Sequence, residues 1–364
     1  MILSLIYNLF TSCRGAFIPT TVMEHTPQTQ NLYKNLKEQA KRGYMFGQHD
    51  ASLYGIGWKG DADRSDVKSI VGDYPAVISF DIGRLELGGT HNLDNISFDV
   101  MRQEIIKHYE RGGVISISWH VDNPLTGGDS WDIRSNKAVA SVLTGRENAE
   151  KFQQWLGRVA DFINSLETEQ GEKIPIIFRP WHEHTGSWFW WGQSLCSTEE
   201  YKSLWRLTEQ ALKSKGVRNV LLAYSPGGDA TNYMERYPGD DIIDLLGFDT
   251  YQSNESNGAE VFMKILQKNL KFLKRYCKKN NKIYAVTETG FEQIPNATWW
   301  TEVLNKAIGS FKPSYVLVWR NAYERPNHYY APYPNHISEA NFKEFYNLNN
   351  VFFLKDIQKM YQAE

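Results

Sequence analysis

Phe98-Asp99-Val100-Met101-Arg102-Gln103-Glu104-Ile105-Ile106-Lys107-His108-Tyr109-Glu110 runs through Arg111-Gly112-Gly113 into Val114-Ile115-Ser116-Ile117-Ser118-Trp119-His120, and this stretch decides the fold class. Its first part sets Val100, Ile105 and Ile106 at helical spacing and predicts a helix over Phe98–Glu110. Its second part is a short β-rich run, Val114–His120, apolar on both faces as a covered parallel strand requires. Outward from it the same alternation recurs. Candidate strands are Gly43–His49, Ala76–Ile82, Pro175–Arg179, Asn219–Tyr224, Leu245–Tyr251, Ile283–Glu288 and Tyr315–Trp319. Further helical patterns are Asn148–Leu166, Glu199–Lys213, Val261–Cys277 and a last one over Phe342–Tyr361. Eight strands alternating with helices imply parallel βαβ units, and eight units predict an α/β fold closed as a single (β/α)8 TIM barrel.

The 364 residues hold 40 Lys and Arg against 42 Asp and Glu, a net charge of −2 that argues against nucleic acid as a partner. No apolar run approaches the roughly 20 residues of a membrane span. Cys13, Cys196 and Cys277 form no CxxC motif, which speaks against structural zinc and a disulfide framework. Met1–Phe17 is mostly apolar and reads as an export signal, with Phe10-Thr11-Ser12-Cys13 resembling a lipoprotein cleavage site. Residues 18–30, rich in Pro, Thr and Gln, read as a linker. The expected division is therefore 1–30 signal and linker, 31–364 catalytic barrel. The expected location is exported: periplasmic, outer-membrane lipoprotein or extracellular.

Active sites of such barrels lie at the C-terminal ends of the strands. There the sequence places His49-Asp50, Asp81, Trp119-His120, Arg179 to His184, Tyr224-Ser225, Asp249-Thr250-Tyr251, Thr287-Glu288-Thr289 and Trp319-Arg320-Asn321. Glu183 and Glu288 end the fourth and seventh strands, on roughly opposite sides of the ring. One strand-end glutamate is commonly a solvated carboxylate. Two facing each other across an aromatic mouth are what glycoside hydrolysis needs: an acid for the leaving oxygen and a carboxylate for the anomeric carbon. Aromatic residues reach 14% of the chain, and Thr185–Gly192 alone carries Trp188, Phe189, Trp190 and Trp191. An indole packs well on the apolar face of a sugar ring. Trp119 and Trp319 are further candidate platforms, and at least one of Trp190 and Trp191 is expected to close the barrel top instead.

Other motifs fall away. Gly55-Ile56-Gly57-Trp58-Lys59-Gly60 matches G-x-G-x-x-G but lacks the strand before and the helix after it, and reads as a flexible rim loop. His182-Glu183-His184 is not a helical H-E-x-x-H metal pair, and no G-x-S-x-G elbow exists. Asp61-Ala62-Asp63 and Asp240-Asp241 match no calcium loop.

The segment Arg179–Gly192 resembles the acid/base segment of glycoside hydrolase family 26, which includes many β-mannanases, and Thr287-Glu288-Thr289-Gly290 resembles its nucleophile segment. Tyr74–Val77 with Asp81, Trp119-His120, Asp249–Tyr251 and Val318–Arg320 resemble its second, third, sixth and eighth strands. The resemblance covers about residues 40–360. It implies a (β/α)8 barrel and retaining chemistry, with Glu183 as acid/base and Glu288 as nucleophile. It further implies that His120 and His182 hold the sugar, that Tyr251 hydrogen-bonds the nucleophile, and that Trp188 and Trp319 wall the cleavage subsite. Asp249 and Arg320 would be polar substrate contacts. His184 and Thr185 depart from the Met and Asn of many relatives, which bears on subsite specificity. The expected activity is hydrolysis of β-1,4-mannosidic bonds in mannan, galactomannan or glucomannan by a monomer without metal or cofactor. The rivals are the same machinery on mixed-linkage β-glucan or xylan, and a non-catalytic glycan-binding barrel.

Overall fold

The computed structural model describes residues 25–363. Eight parallel strands follow the chain: β1 (Tyr44–His49), β2 (Val77–Asp81), β3 (Val114–Ser118), β4 (Ile176–Arg179), β5 (Val220–Tyr224), β6 (Leu245–Leu246 continued by Asp249–Gln252), β7 (Ile283–Tyr284 continued by Val286–Phe291) and β8 (Tyr315–Val318). Each pairs with its successor, and β8 pairs with β1 in the register Met45↔Tyr315 to Gln48↔Val318. The ring is therefore closed, as the strand count predicted. Strand alternation sends side chains to two separate cores. Phe46, Ile78, Ile115 and Phe178 face the surrounding helices, while Met45, Val77, Ile177 and Leu317 fill the barrel.

The sequence reads β6 and β7 as unbroken, but both are interrupted. Gly247 lies so close to Thr287 that an added Cβ would sit 2.3 Å from its methyl carbon. The Thr287 hydroxyl donates to Asp249 (2.7 Å), and the Phe248 carbonyl accepts from the Thr287 N–H (3.1 Å), so side chain and backbone together bond the irregular stretch. The register of β7 on β8 shifts between Val286 and Thr289. These irregularities lie just below Asp249 and Glu288 and aim them.

Two boundaries differ from expectation. The helix α1 (Pro27–Arg42) begins inside the stretch read as linker, while residues 1–24 lie outside the described ones. Pro27 fits the first helical turn, and the Thr26 side chain accepts from the Thr29 N–H. Leu32 and Leu36 of α1 are fully buried in the barrel-filling core, so this helix stoppers the end of the barrel away from the strand C-termini. At the other end of the chain, Phe342–Tyr361 is not one helix. A helix spans Glu339–Tyr346, then Val351–Phe352 pairs in parallel beside Tyr44 and Met45. The Asn-rich Asn347–Asn350 link ends the helix, and the Asn350 carbonyl accepts from the Tyr44 N–H (2.9 Å). The helix Phe98–Glu110 forms as expected, but it buries Met101 and Ile105 while Val100 faces solvent.

Replacing Leu36 by Ala should cost about 2–5 kcal/mol of stability, because it opens a cavity in the stoppered barrel. A denaturant unfolding midpoint unchanged from wild type would show that α1 is a dispensable tail.

Candidate active site

The strand-four terminus is built by backbone geometry. Trp181, Glu183 and Ser187 all adopt left-handed φ, at 53°, 53° and 60°. This conformation costs a residue with a Cβ about 1–2 kcal/mol. It makes successive side chains diverge. His182 turns inward to His120, with Nε2 to Nε2 at 3.2 Å. Glu183 points into the mouth and accepts from the Trp188 indole N–H (2.9 Å). His184 turns into the wall, where it meets the Tyr224 hydroxyl (2.9 Å).

Glu288, on β7, is held from two sides. The Tyr251 hydroxyl donates to one oxygen at 2.5 Å, and Arg179 Nη2 donates to the other. Arg179 Nη1 binds Asp249 (2.5 Å) and the Ser225 hydroxyl (3.2 Å). Burial opposes the charge on Arg179, but Asp249 and Glu288 outweigh it and raise its pKa above the usual arginine range. Oxygens of Glu183, Asp249 and Glu288 all lie within 4.8 Å of one another. The guanidinium supplies the positive charge that such a cluster needs.

Burial and the neighbouring Glu288 charge push the Glu183 carboxyl up to about 7. Arg179, Trp188 and His120 pull the other way without cancelling the effect. Beside it, Asp81 orients His120. Asp81 Oδ2 meets His120 Nδ1 at 2.7 Å and accepts from the Ser118 hydroxyl (2.6 Å), while Oδ1 accepts from the Gly83 N–H (2.7 Å). Burial alone would lower the His120 imidazole, but Asp81 outweighs it and raises it. His182 is lowered well below the usual imidazole range by burial, with Arg179 adding to the effect. In the His120–His182 pair, then, His120 donates and His182 accepts.

Beside the glutamates opens a cleft of about 620 Å³, lined among others by His49, Asp94, His120, Trp131, Trp319 and Arg320. Trp319 lies on the His49 ring at 4.1 Å, and Trp131 on His120 at 5.3 Å. The Tyr54–Lys59 rim, read from the sequence as flexible, is a small antiparallel hairpin. Buried Asp66 pins it by accepting from Ile56 N, Trp58 Nε1 and Asn321 Nδ2 at 2.7–2.9 Å.

The profile of "Glycosyl hydrolase family 26" matches residues 22–349. The chain belongs to this family. Over 95% of its length it is 33% identical to a mannan endo-1,4-beta-mannosidase of Bifidobacterium adolescentis, and it spans only 36% of that larger protein. A mannan endo-1,4-beta-mannosidase of Bacillus subtilis is 26% identical over 72% of the chain and 70% of the relative. The structure superposes on the GH26 β-mannanase BoMan26A of Bacteroides ovatus with a TM-score of 0.90 and 54% identity, covering 93% of this chain and 98% of that one.

Several expected sugar contacts of this family 26 chain are buried or already paired. Asp249 is 1% exposed and serves Arg179 from beneath Glu288, so it does not reach a substrate. Arg320 lines the cleft but is already paired with Asp94 (3.1 Å) and Glu324 (2.7 Å). Trp119 is fully buried, its indole N–H donating to Glu86 (2.9 Å). Trp190 and Trp191 both close the barrel top, donating to the Val121 and His182 carbonyls. Of that loop only Trp188 is exposed, at 45%. The sequence reading missed Arg179 and Asp81 as working groups. The signal was there: a charged residue ending an apolar strand must find a partner or stay in water.

Glu183 must be protonated to act as an acid, so activity should fall as pH rises through about 7. Carbon-13 titration of the Glu183 carboxyl should show its pKa drop in Glu288→Gln, which removes the neighbouring charge. An unchanged titration would mean that Glu288 does not set it.

Proposed function

We propose that this protein hydrolyses β-1,4-mannosidic bonds in mannans by double displacement with retention of anomeric configuration. The observation that carries the reading is the pair Glu183 and Glu288, with carboxylate oxygens within 4.8 Å and unlike surroundings. So short a gap suits a retaining pair, since inversion leaves roughly 6.5–9.5 Å for a water. The relatives' activity on mannan supports the substrate class.

In the first step Glu288 attacks the anomeric carbon while the bond to the leaving oxygen breaks. Glu183 gives that oxygen its proton. Arg179 and Tyr251 keep the nucleophile oxygens aimed. The glycosyl-enzyme removes the charge of Glu288, so the pKa of Glu183 falls and the carboxylate can take a proton from water. That water attacks the anomeric carbon and releases Glu288. Trp188 and Trp319 offer apolar faces to the ring, and His120, fixed by Asp81 and His182, forms part of the wall beside it.

The expected working unit is a monomer. Among the described residues no helix is long and apolar enough to cross a membrane. We place the protein outside the cytoplasm, on the composition of Met1–Phe17.

Wild-type enzyme should release manno-oligosaccharides from mannan, and proton NMR should show the β-anomer first. Glu288→Ala should be inactive. Glu183→Gln should lose about 10²–10⁴-fold in kcat on mannan, and much less on a substrate whose leaving group needs no proton. An α-anomer formed first would refute retention, and cleavage of xylan or β-glucan alone would refute the substrate class.

A further inference from the structure

The end of the barrel opposite the glutamates carries a second groove, of about 640 Å³. It lies between the C-terminal half of α1, the end of the helix Gly258–Asn280 and the entry to β7 and β8. Six lysines line it: Lys37, Lys41, Lys274, Lys278, Lys282 and Lys312. Glu38 is the one acidic residue in its lining and is paired with Lys41 (2.6 Å). The other cations lack carboxylate partners in the lining. Lys274 donates to the Ser310 carbonyl, Lys312 to the Lys41 carbonyl, and Lys282 to the Asp240 and Ile243 carbonyls. A carbonyl orients an ammonium but leaves its charge uncompensated. In a chain of net charge −2, this face is strongly positive. The floor between the lysines is apolar, with Ile283 buried and Tyr284 and Phe311 half-buried.

We propose that this groove is a docking site for an anionic lipid surface, with the lysines on headgroup phosphates and Phe311 and Tyr284 toward the acyl boundary. A basic rim around an apolar floor fits a charged head on an apolar tail better than it fits a uniformly polar polyanion. The chain path agrees. The Thr26 N–H bonds the Arg218 carbonyl just before β5, so the first described residues lie at this same end of the barrel. The sequence reading of Met1–Phe17 as an export or lipid-attachment segment would bring that end to a membrane. Docking by the groove then points the catalytic mouth away from the bilayer. The inference concerns groups remote from Glu183 and Glu288 and does not depend on the glycan they cleave.

The test is sedimentation of the full chain with vesicles, using Cys13→Ala so that no acyl group contributes. Binding is expected to vesicles of phosphatidylglycerol with phosphatidylcholine, and not to phosphatidylcholine alone. It should weaken steeply between 50 and 500 mM salt (roughly 14 and 4 Å of Debye length). Lys274→Glu/Lys278→Glu/Lys312→Glu should weaken binding about a hundredfold, with mannan hydrolysis unchanged as proof of folding. The equal charge change Lys137→Glu/Arg146→Glu/Lys202→Glu, outside the groove, should leave most of the binding. Failure of the parent chain to bind the anionic vesicles would overturn the proposal. Equal loss in the two triple variants would overturn it as well, because the effect would then be net charge alone. Retention on polygalacturonate without vesicle binding would overturn the lipid assignment.

Discussion

The buried guanidinium of Arg179 is the constraint around which the mouth of this barrel is arranged. It lies between Asp249 and Glu288, with carboxylate oxygens of Asp249, Glu288 and Glu183 within 4.8 Å of one another. Without the cation, two or three like charges would share one partly dehydrated space. Breaking such a pair by deleting one partner typically costs about 3–5 kcal/mol. The broken strands β6 and β7 make sense in this light. They place Thr287 where its hydroxyl donates to Asp249, and this bond helps fix the far side of the ion triad. Tyr251, on the continuation of β6, then needs only its hydroxyl to complete the hold on Glu288.

The same arrangement separates the roles of two chemically identical side chains. Glu288 has two donors aimed at it, while Glu183 has one indole N–H, a half-buried position and an anionic neighbour. On the proposed mechanism, environment alone makes Glu183 the acid and leaves Glu288 to attack. His120 is tuned in the same manner at one remove, through Asp81, Ser118 and the backbone of Gly83.

Much of this was legible in the sequence because barrel physics is periodic. Eight β-rich runs separated by helical stretches could hardly close otherwise, and the strand-end rule then brought Glu183, Glu288, His120, His182, Tyr251 and Trp319 to one rim. What escaped was whatever depends on direction rather than position. Asp249 and Arg179 end strands like the others, but they turn toward each other. Trp119, Trp190 and Trp191 sit in rim segments, but their rings fold under. A left-handed φ at Trp181 or Glu183 leaves no mark in composition, since nothing but Gly or Asn would have advertised it. The Phe342–Tyr361 reading failed for a related reason: apolar spacing continues past Asn347–Asn350, although the backbone there pairs with β1.

The loop after β4 shows a last consequence of how its indoles are bonded. Trp188, Trp190 and Trp191 each donate their N–H to a fixed acceptor: Glu183, the Val121 carbonyl and the His182 carbonyl. An aromatic loop tied at three points has little conformational freedom left to lose when a sugar arrives. The entropy that a mobile loop would forfeit on ordering was already surrendered when the chain folded, so a greater share of the contact energy remains for holding the glycan.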